Sequence, residues 1–304
     1  MKEIIYAIFL SFFLCGLCGN AEAKKKKEVK KSIKREVQTP YDKLFKGKKA
    51  FTVNGLMKMH LMAGKVYAEF PIELLNRDLA LTSSIEDISD NGEGVVGQFA
   101  GRVNQFRFTL QDSMLQARLV RRYGVKNTGM GKNADQIIER SNTPGIFQSY
   151  KILAYTPDKK AVVVDMTELF LESSRLTNPF PSYAGNSLYG FVQRIHKFQS
   201  QRSELLGICG NDNSMSVHCN LGFNVDRLVL GSFMQAKDVP VSVTVNKILM
   251  LLPEDPMRPR LADSRIGVNA IIQTELPDVC QGIKTYYITK RWRIEPVDEI
   301  RYKQ

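Results

Sequence analysis

The sequence Gln105-Phe-Arg-Phe-Thr-Leu110, followed after a short break by Leu115-Gln-Ala-Arg-Leu-Val120, decides the fold class. Apolar and polar residues alternate in both stretches, and the break between them contains Asp112-Ser113. Because successive side chains of a β-strand point to opposite faces, a period of two is typical of a strand with one buried face. The two stretches therefore predict a half-buried β-hairpin.

The same combination of strand pattern and turn signal recurs along the chain. Hairpins are predicted for 58–62 with 65–70, for 150–155 with 161–164 and for 207–209 with 215–220, and single strands for 78–84, 239–252 and 283–294. Helical signals are short and few, at 41–48, 72–75 and 168–174. The sequence therefore predicts a mainly β protein, a β-rich α+β fold of antiparallel sheets and hairpins with a few short helices.

The N-terminus has the three parts of a secretory signal peptide. Lys2 precedes an apolar run from Ile4 to Leu17, and the small-residue sequence Ala21-Glu-Ala23 follows it. The run is shorter than the about 20 apolar residues that a transmembrane helix needs, although an uncleaved N-terminal anchor stays the alternative. We expect cleavage after Ala23, no membrane span in the mature chain, and export to the periplasm, the cell surface or the medium.

The formal net charge of +12 is concentrated in one segment. Residues Lys24–Lys49 contain twelve Lys or Arg and three Asp or Glu, whereas the chain from Ala50 onward carries a net charge of about +4. This distribution predicts a basic, flexible leader ahead of a nearly balanced globular body. We expect no nucleic-acid partner for an exported chain without a basic face; attraction of the leader to anionic lipid or polymer is the alternative to simple solubility.

The body of the chain is predicted to contain two domains. The boundary is placed at the loop Lys126–Asn133, where Gly and Asn residues cluster. The resulting organisation is a signal peptide at 1–23, a basic leader at 24–49, a small N-terminal β domain at 50–125 and a larger β-rich domain at 134–304.

The sequence contains no catalytic constellation. The three histidines, His60, His196 and His218, form no H-E-x-x-H pair, and the chain has no G-x-S-x-G motif, P-loop or dinucleotide fingerprint. We therefore expect a chain that is not an enzyme and that binds no cofactor of its own.

Two cysteines stand at opposite ends of a predicted hairpin. Because export permits oxidation, Cys209 and Cys219 are predicted to form a disulfide, which would leave Cys280 as the odd thiol; two buried free thiols are the alternative. A metal site is a less favoured interpretation of four ligand-type residues, Cys209, Asp212, His218 and Cys219. Adjacent residues such as His218 and Cys219 would point to opposite faces of a strand, which opposes that interpretation.

A short basic segment is the last candidate site. Between Pro256 and Arg265 it combines Asp263 with three arginines, Arg258, Arg260 and Arg265. We interpret it as a structural loop in which Asp263 pairs with Arg260 or Arg265, and anion binding by the arginines is the alternative.

Four stretches resemble a family of secreted bacterial zinc-dependent metalloproteases: 65–78, 163–170, 251–267 and 287–296. The most specific of them is Leu251-Leu-Pro-Glu-Asp-Pro-Met-Arg-Pro-Arg-Leu-Ala-Asp-Ser-Arg-Ile-Gly267. In that family, two N-terminal domains of unknown function precede a metzincin-like catalytic domain with an extended H-E-x-x-H-x-x-G-x-x-H motif. The resemblance covers roughly 41–304, and the chain ends at Arg301-Tyr-Lys-Gln304, where the family would lead into its catalytic domain. No zinc ligand or catalytic Glu of the family therefore corresponds to a position here.

The resemblance implies a non-catalytic scaffold or regulatory region whose partner is a protease domain, either downstream or separate. Zinc is then expected only in full-length relatives. Two alternatives stay open: an autonomous module that binds extracellular peptide or surface polymer through loops such as Lys126–Asn133, and the remnant of a truncated gene.

Overall fold

The structure, a computed structural model, describes residues 38–120, 125–127, 136–137, 140–174, 177–180, 183–187, 190–230, 235–254, 257–263, 265, 267–276 and 284–290. These residues all belong to one compact unit, Gln38–Gln304. The predictions for Ala23, for Cys280 and for 128–133 of the Lys126–Asn133 loop concern positions outside the described residues.

The described ranges form fifteen β-strands: β1 (Phe51–Val53), β2 (Lys58–Met62), β3 (Lys65–Pro71), β4 (Asp78–Ile88), β5 (Asn104–Gln111), β6 (Met114–Leu119), β7 (Val125–Asn127), β8 (Gly145–Tyr155), β9 (Ala161–Asp165), β10 (Tyr183–Ser187), β11 (Gly190–Asn211), β12 (Ser214–Leu230), β13 (Gln235–Leu251), β14 (Ala270–Leu276) and β15 (Lys284–Thr289). Twelve of these fifteen make one antiparallel sheet in the order β1-β2-β3-β9-β8-β6-β5-β4-β13-β12-β11-β10. The other three form the order β15-β14-β7, where β14 runs antiparallel to β15 and parallel to β7. The prediction of a mainly β protein is confirmed.

The large sheet combines strands from both sides of the predicted domain boundary. β6 pairs with β8, which follows the Lys126–Asn133 loop, and β4 pairs with β13. The division into domains at 50–125 and 134–304 stays a prediction, but the strands of its two parts share one hydrogen-bonded sheet.

The predicted hairpins are formed with the expected turns. β5 and β6 pair from Phe106 with Leu119 to Gln111 with Met114, around Asp112-Ser113. Between β2 and β3, Ala63 and Gly64 have positive φ angles of 50° and 71°. A two-residue hairpin turn of the primed type needs positive φ at both positions, which explains the glycine there.

The helices in the described part of the chain are short. α1 (Pro40–Phe45) begins with a capping box, in which Thr39 Oγ1 accepts from the Asp42 backbone and the Asp42 carboxylate accepts from the Thr39 backbone. A 3-10 helix at Ile72–Leu74 follows Pro71, and α2 is Thr167–Leu171. Among the described residues, no helix has the length and apolar character needed to span a bilayer.

The strands β11, β12 and β13 are long; β11 and β12 extend far beyond their predicted ranges, whereas β13 is close to its predicted range of 239–252. They contain 22, 17 and 17 residues. The pairing register between β11 and β12 shifts between Gln199 and Glu204 and again between Leu205 and Gly207. Such bulges increase the local twist and bend a strand, which lets strands of this length curve with the sheet.

The sheet curves until its first strands reach the β11–β12 hairpin. The Leu56 N–H donates to Asn211 O at 2.7 Å. Next to it, a Cβ on Gly55 would lie 2.7 Å from the same Asn211 oxygen and 2.8 Å from Met215 Sδ. A glycine at position 55 is therefore needed for this close approach.

The buried side chains form two hydrophobic clusters. The larger cluster includes Phe70 and Phe108, whose ring centroids are 4.8 Å apart, and the smaller one lies around Phe223. Residues 161–164 of β9 are buried without alternation, as expected for a strand covered on both faces. Burial of each such aromatic side chain contributes about 2–3 kcal/mol.

Candidate functional site

The predicted disulfide between Cys209 and Cys219 is not formed in the structure, where both are free thiols. In the antiparallel register Cys209 lies opposite Ser216, three positions from Cys219. An odd offset puts the two side chains on opposite faces of the sheet and about 10 Å apart along the strand, whereas a disulfide needs Cα atoms within about 7 Å. The structure therefore corrects this prediction: Cys209 is exposed and Cys219 is buried.

The alternative metal site at this hairpin is not assembled either. His218 lies on the face opposite to Cys219, and its Nδ1 lies 2.9 Å from Glu86 Oε2. Within the part of the chain that the structure describes, no three His, Cys, Asp or Glu side chains converge as a metal site would require.

The basic segment 257–265 lies beside β15. The Thr289 N–H donates to Arg260 O at 2.9 Å, and the Ala262 N–H donates to Tyr287 O at 2.6 Å. Asp263 pairs with Arg265 through Nε at 2.9 and 3.1 Å, and this hydrogen bonding holds the pKa of the Asp263 carboxyl below its ordinary value. The side chains of Arg258 and Arg260 are exposed.

The small sheet next to this segment exposes apolar side chains on both faces of β14. Ile271 and Ile272 are consecutive residues of β14, so they point to opposite faces, yet they are 49% and 65% exposed. Tyr287 of β15 and Leu261 are also more than half exposed. A partner surface that covers these exposed apolar side chains would stabilise so small a sheet.

A buried ionic cluster fixes the loop after β4. The Glu93 side chain is 1% exposed; its Oε1 accepts from Arg227 Nε at 2.8 Å, and its Oε2 lies 2.7 Å from His196 Nε2. Arg227 also pairs with Asp90, and the His196 ring stacks on Phe180 with centroids 4.4 Å apart. Because a buried carboxylate is tolerated only when it is paired, these contacts hold the loop in one conformation.

The segment Val95–Val103, which follows this cluster, presents apolar side chains to solvent. Four of them, Val95, Val96, Phe99 and Val103, are between 57% and 72% exposed. Its backbone is fixed along β4, because Gly97 N–H donates to Ile85 O at 2.8 Å, Ile85 N–H donates to Gln98 O at 3.0 Å, and Ala100 N–H donates to Ser83 O at 2.8 Å. We call Val95–Val103 the apolar segment; it is an exposed apolar surface on a rigid backbone.

A second buried polar network lies under α1. Glu69 Oε1 accepts from Tyr41 Oη at 2.6 Å and lies 2.9 Å from His60 Nε2 and 3.3 Å from Lys58 Nζ, and His60 Nδ1 lies 2.8 Å from Thr52 Oγ1. Burial raises the pKa of Glu69, but the hydrogen bonds from His60 and Tyr41 and the charge of Lys58 outweigh it and hold that pKa below its ordinary value. Burial and the bond to Glu69 raise the pKa of Tyr41. The network therefore contains an ionised carboxylate that fastens α1 to the sheet.

An open cleft of about 830 Å³ lies beside this network. One wall is made by 55–58 of the β1–β2 connection and β2, and the other by the turn 156–160 and the start of the 3-10 helix at Ile72. Tyr41 and Glu69 line its floor. Its volume falls in the range of pockets that bind small ligands.

A lysine inside the core supports α2. Lys247 is fully buried, and its Nζ donates to Glu172 O at 3.2 Å, at the carboxyl end of α2. Burial lowers the pKa of Lys247. A cation is favoured at the carboxyl end of a helix, so this contact is structural.

Sequence reasoning missed both ionic clusters, for different reasons. Glu93 meets His196 and Arg227 across 103 and 134 residues of sequence, and no local pattern indicates such a contact. The Glu69–His60 contact spans nine residues within the predicted β2–β3 hairpin. Polar residues at alternate positions of both strands were a usable signal for that second cluster.

Two family models match this chain. Residues 97–297, about two thirds of the chain, match the family described as a domain of unknown function, DUF5117. The chain belongs to the DUF5117 family. Residues 38–88 match a second domain of unknown function, DUF5118. No curated protein and no solved structure shows significant similarity.

The two matches flank the buried ionic cluster. Glu93 lies between them, and its partners His196 and Arg227 lie within the DUF5117 match. The apolar segment begins in the same interval and continues into DUF5117. Both family descriptions leave the function open.

Proposed function

We propose that this DUF5117 chain is an exported, non-catalytic scaffold region that binds a zinc-dependent protease domain through the apolar segment Val95–Val103. The observation that carries the proposal is the exposure of Val95, Val96, Phe99 and Val103 on a backbone held by buried contacts. Soluble proteins rarely leave such a group of apolar side chains in water, and patches of this kind mark interaction sites.

The rigidity of the segment favours a specific partner. Ala100 is buried between the exposed Phe99 and Val103, and a Cβ on Gly101 would lie 2.7 Å from Asn178 O. The segment is therefore packed from below while its apolar side chains face outward. A preformed surface loses little conformational entropy on association, which raises affinity.

The choice of a protease domain as the partner rests on the resemblance to secreted zinc metalloproteases. The stretch 251–267 supports it most, and the exposed side chains of Ile271, Ile272 and Tyr287 supply additional apolar surface for a partner. In this proposal zinc and the catalytic residues belong to the partner, and the DUF5117 chain orients or covers the protease.

A binding assay tests the proposal. A zinc-dependent protease domain of the resembling family, produced as a separate chain, is titrated against the Lys24–Gln304 chain by biolayer interferometry. Phe99→Ser is expected to weaken binding about tenfold, because a buried aromatic anchor contributes about 1–3 kcal/mol. Tyr155→Ser is the matched control, since Tyr155 is an aromatic of β8 that is about half exposed and lies outside the segment.

The assay distinguishes the proposal from its alternatives. Equal losses for Phe99→Ser and Tyr155→Ser, or no binding of the protease domain at all, would contradict it. The loop Lys126–Asn133, proposed for a polymer-binding module, lies mostly outside the described residues. The remnant alternative is tested by the DNA downstream of the gene, where a frameshifted H-E-x-x-H would support it.

Export is a separate part of the proposal. It rests on the apolar run Ile4 to Leu17 and the Ala21-Glu-Ala23 site. Mass analysis of the secreted chain is expected to give an N-terminus at Lys24, whereas an intact Met1 in a membrane fraction would favour an anchor.

A further inference from the structure

The turn 156–160 forms one rim of the cleft and is held by a dense set of hydrogen bonds. Thr156 N–H donates to Ala161 O at 3.0 Å, and Lys159 N–H donates to Thr156 O at 2.8 Å. Thr156 Oγ1 donates to Asp158 Oδ1 at 2.6 Å and accepts from Ala161 N–H at 3.0 Å. The rim is therefore rigid, and the side chains that it presents are preorganised.

The Asp158 carboxylate accepts hydrogen bonds from within the turn itself. Asp158 Oδ1 accepts from Thr156 Oγ1 and, at 3.1 Å, from the backbone N–H of Lys160. These two hydrogen bonds hold the pKa of Asp158 below its ordinary value. Asp158 therefore stays ionised and is hydrogen-bonded within the turn.

Two lysine side chains on this rim keep their ammonium groups available. Lys159 and Lys160 are exposed and line the cleft, and no carboxylate among the described residues forms an ion pair with either of them. Lys159 has a φ angle of 57°, an uncommon conformation for a residue with a side chain. Such a conformation persists only where its surroundings impose it, here the hydrogen-bonded turn between β8 and β9.

The floor of the cleft mixes apolar and polar groups. Leu56 and Met57 are almost fully buried in one wall, and Ile72 stands partly exposed at the opposite wall. Tyr41 and Glu69 interrupt these apolar groups, and the charge of Glu69 is already compensated by Lys58. The floor thus fits a ligand whose apolar and polar groups alternate, as they do along a peptide, better than a continuous acyl chain.

We infer that the cleft binds a peptide carboxylate, with the carboxylate at Lys159 and Lys160 and a neighbouring apolar side chain against Ile72. The carboxylate comes either from the end of a chain or from an acidic side chain. This binding site is independent of the apolar segment and of any protease partner.

Fluorescence anisotropy with labelled hexapeptides tests the inference on the Lys24–Gln304 chain. One peptide ends in Leu-Phe with a free carboxylate, the second is its C-terminal amide, and the third is an amide with Asp as its last residue. The free acid is expected to bind about tenfold more tightly than its own C-terminal amide, because only the acid forms ion pairs with the two partly solvated lysines. The preference should fall as salt rises.

Two variants separate the roles of the rim and the floor. The double substitution Lys159→Gln and Lys160→Gln should abolish the preference for the carboxylate, and Lys151→Gln, on an exposed position of β8 outside the cleft, should leave it unchanged. Ile72→Ala should weaken the acid and the amide by the same factor, since it removes only apolar contact.

Each outcome decides for or against the inference. A lysine-dependent preference for the free acid or for the Asp peptide supports it and identifies the source of the carboxylate. Equal binding of the acid and the two amides, or an unchanged preference in the double variant, overturns it. Lysine-dependent binding of laurate without binding of any peptide would also overturn it in favour of a fatty-acid site.

Discussion

The substitution Glu93→Gln tests whether the buried ionic cluster holds the loop between the two family matches. Glu93 is 1% exposed and contacts Arg227 at 2.7–2.8 Å and His196 at 2.7 Å, and the substitution keeps its shape but removes its charge. Loss of one partner from a fully buried pair costs about 3–5 kcal/mol. Arg227 is 31% exposed and keeps Asp90, so we expect a loss of about 2 kcal/mol in the free energy of unfolding.

Urea unfolding followed by tryptophan and tyrosine fluorescence measures this loss. With an m-value of about 3 kcal/mol/M, the midpoint should fall by about 0.7 M. Glu254→Gln is the matched control, because Glu254 pairs with Arg77 at 2.9 Å but is 71% exposed and should change the free energy by less than about 0.5 kcal/mol. If both substitutions lowered the midpoint equally, the reasoning about burial would be refuted.

Three further predictions concern thiols, pH and activity. In a Cys280→Ser background, maleimide labelling of the native chain should modify exposed Cys209 alone, because burial keeps Cys219 inaccessible and raises its pKa to about 11. If neither cysteine were labelled without reductant, even in denaturant, the disulfide prediction would be correct after all. Glu69 has a lower pKa in the folded than in the unfolded chain, so its contribution to stability is full above the unfolded pKa of about 4.5 and is lost as pH falls through the folded pKa. Glu69→Gln should therefore flatten the decrease of the urea midpoint between about pH 5 and 3. An unchanged slope would argue against this role. The purified chain should hydrolyse no casein and retain no zinc after dialysis, and chelator-sensitive turnover with about one zinc per chain would overturn the non-catalytic proposal.

Local structure was predictable from the sequence wherever one strand and its turn lie close together. The β5–β6 hairpin follows from alternation around Asp112-Ser113, and the β2–β3 hairpin follows from the glycine at its turn. Helix α1 follows from Thr39 and Pro40 at its start. These features depend on residues within about ten positions of one another, where period and turn chemistry act directly.

Features that depend on register or on distant pairing were not predictable in this way. The disulfide prediction rested on two cysteines at opposite ends of a predicted hairpin, but the pairing register puts Cys209 opposite Ser216, three positions from Cys219, so the two thiols lie on opposite faces. The position of Glu93 beneath its partners depends on the pairing of β4 with β13 and of β13 with β12. The apolar segment was equally hidden, because Val and Phe at exposed positions look in sequence like residues of a buried strand.

Hydrogen–deuterium exchange on the complex with the zinc-dependent protease domain tests whether Val95–Val103 is the docking surface. We expect slower exchange in peptides that cover Val95–Val103 when the protease domain is bound, and unchanged exchange in peptides that cover Ile146 to Tyr155 of β8. Protection confined to other regions, such as the β14–β15 sheet, or no protection at all under saturating partner, would contradict the assignment of Val95–Val103 as the docking surface.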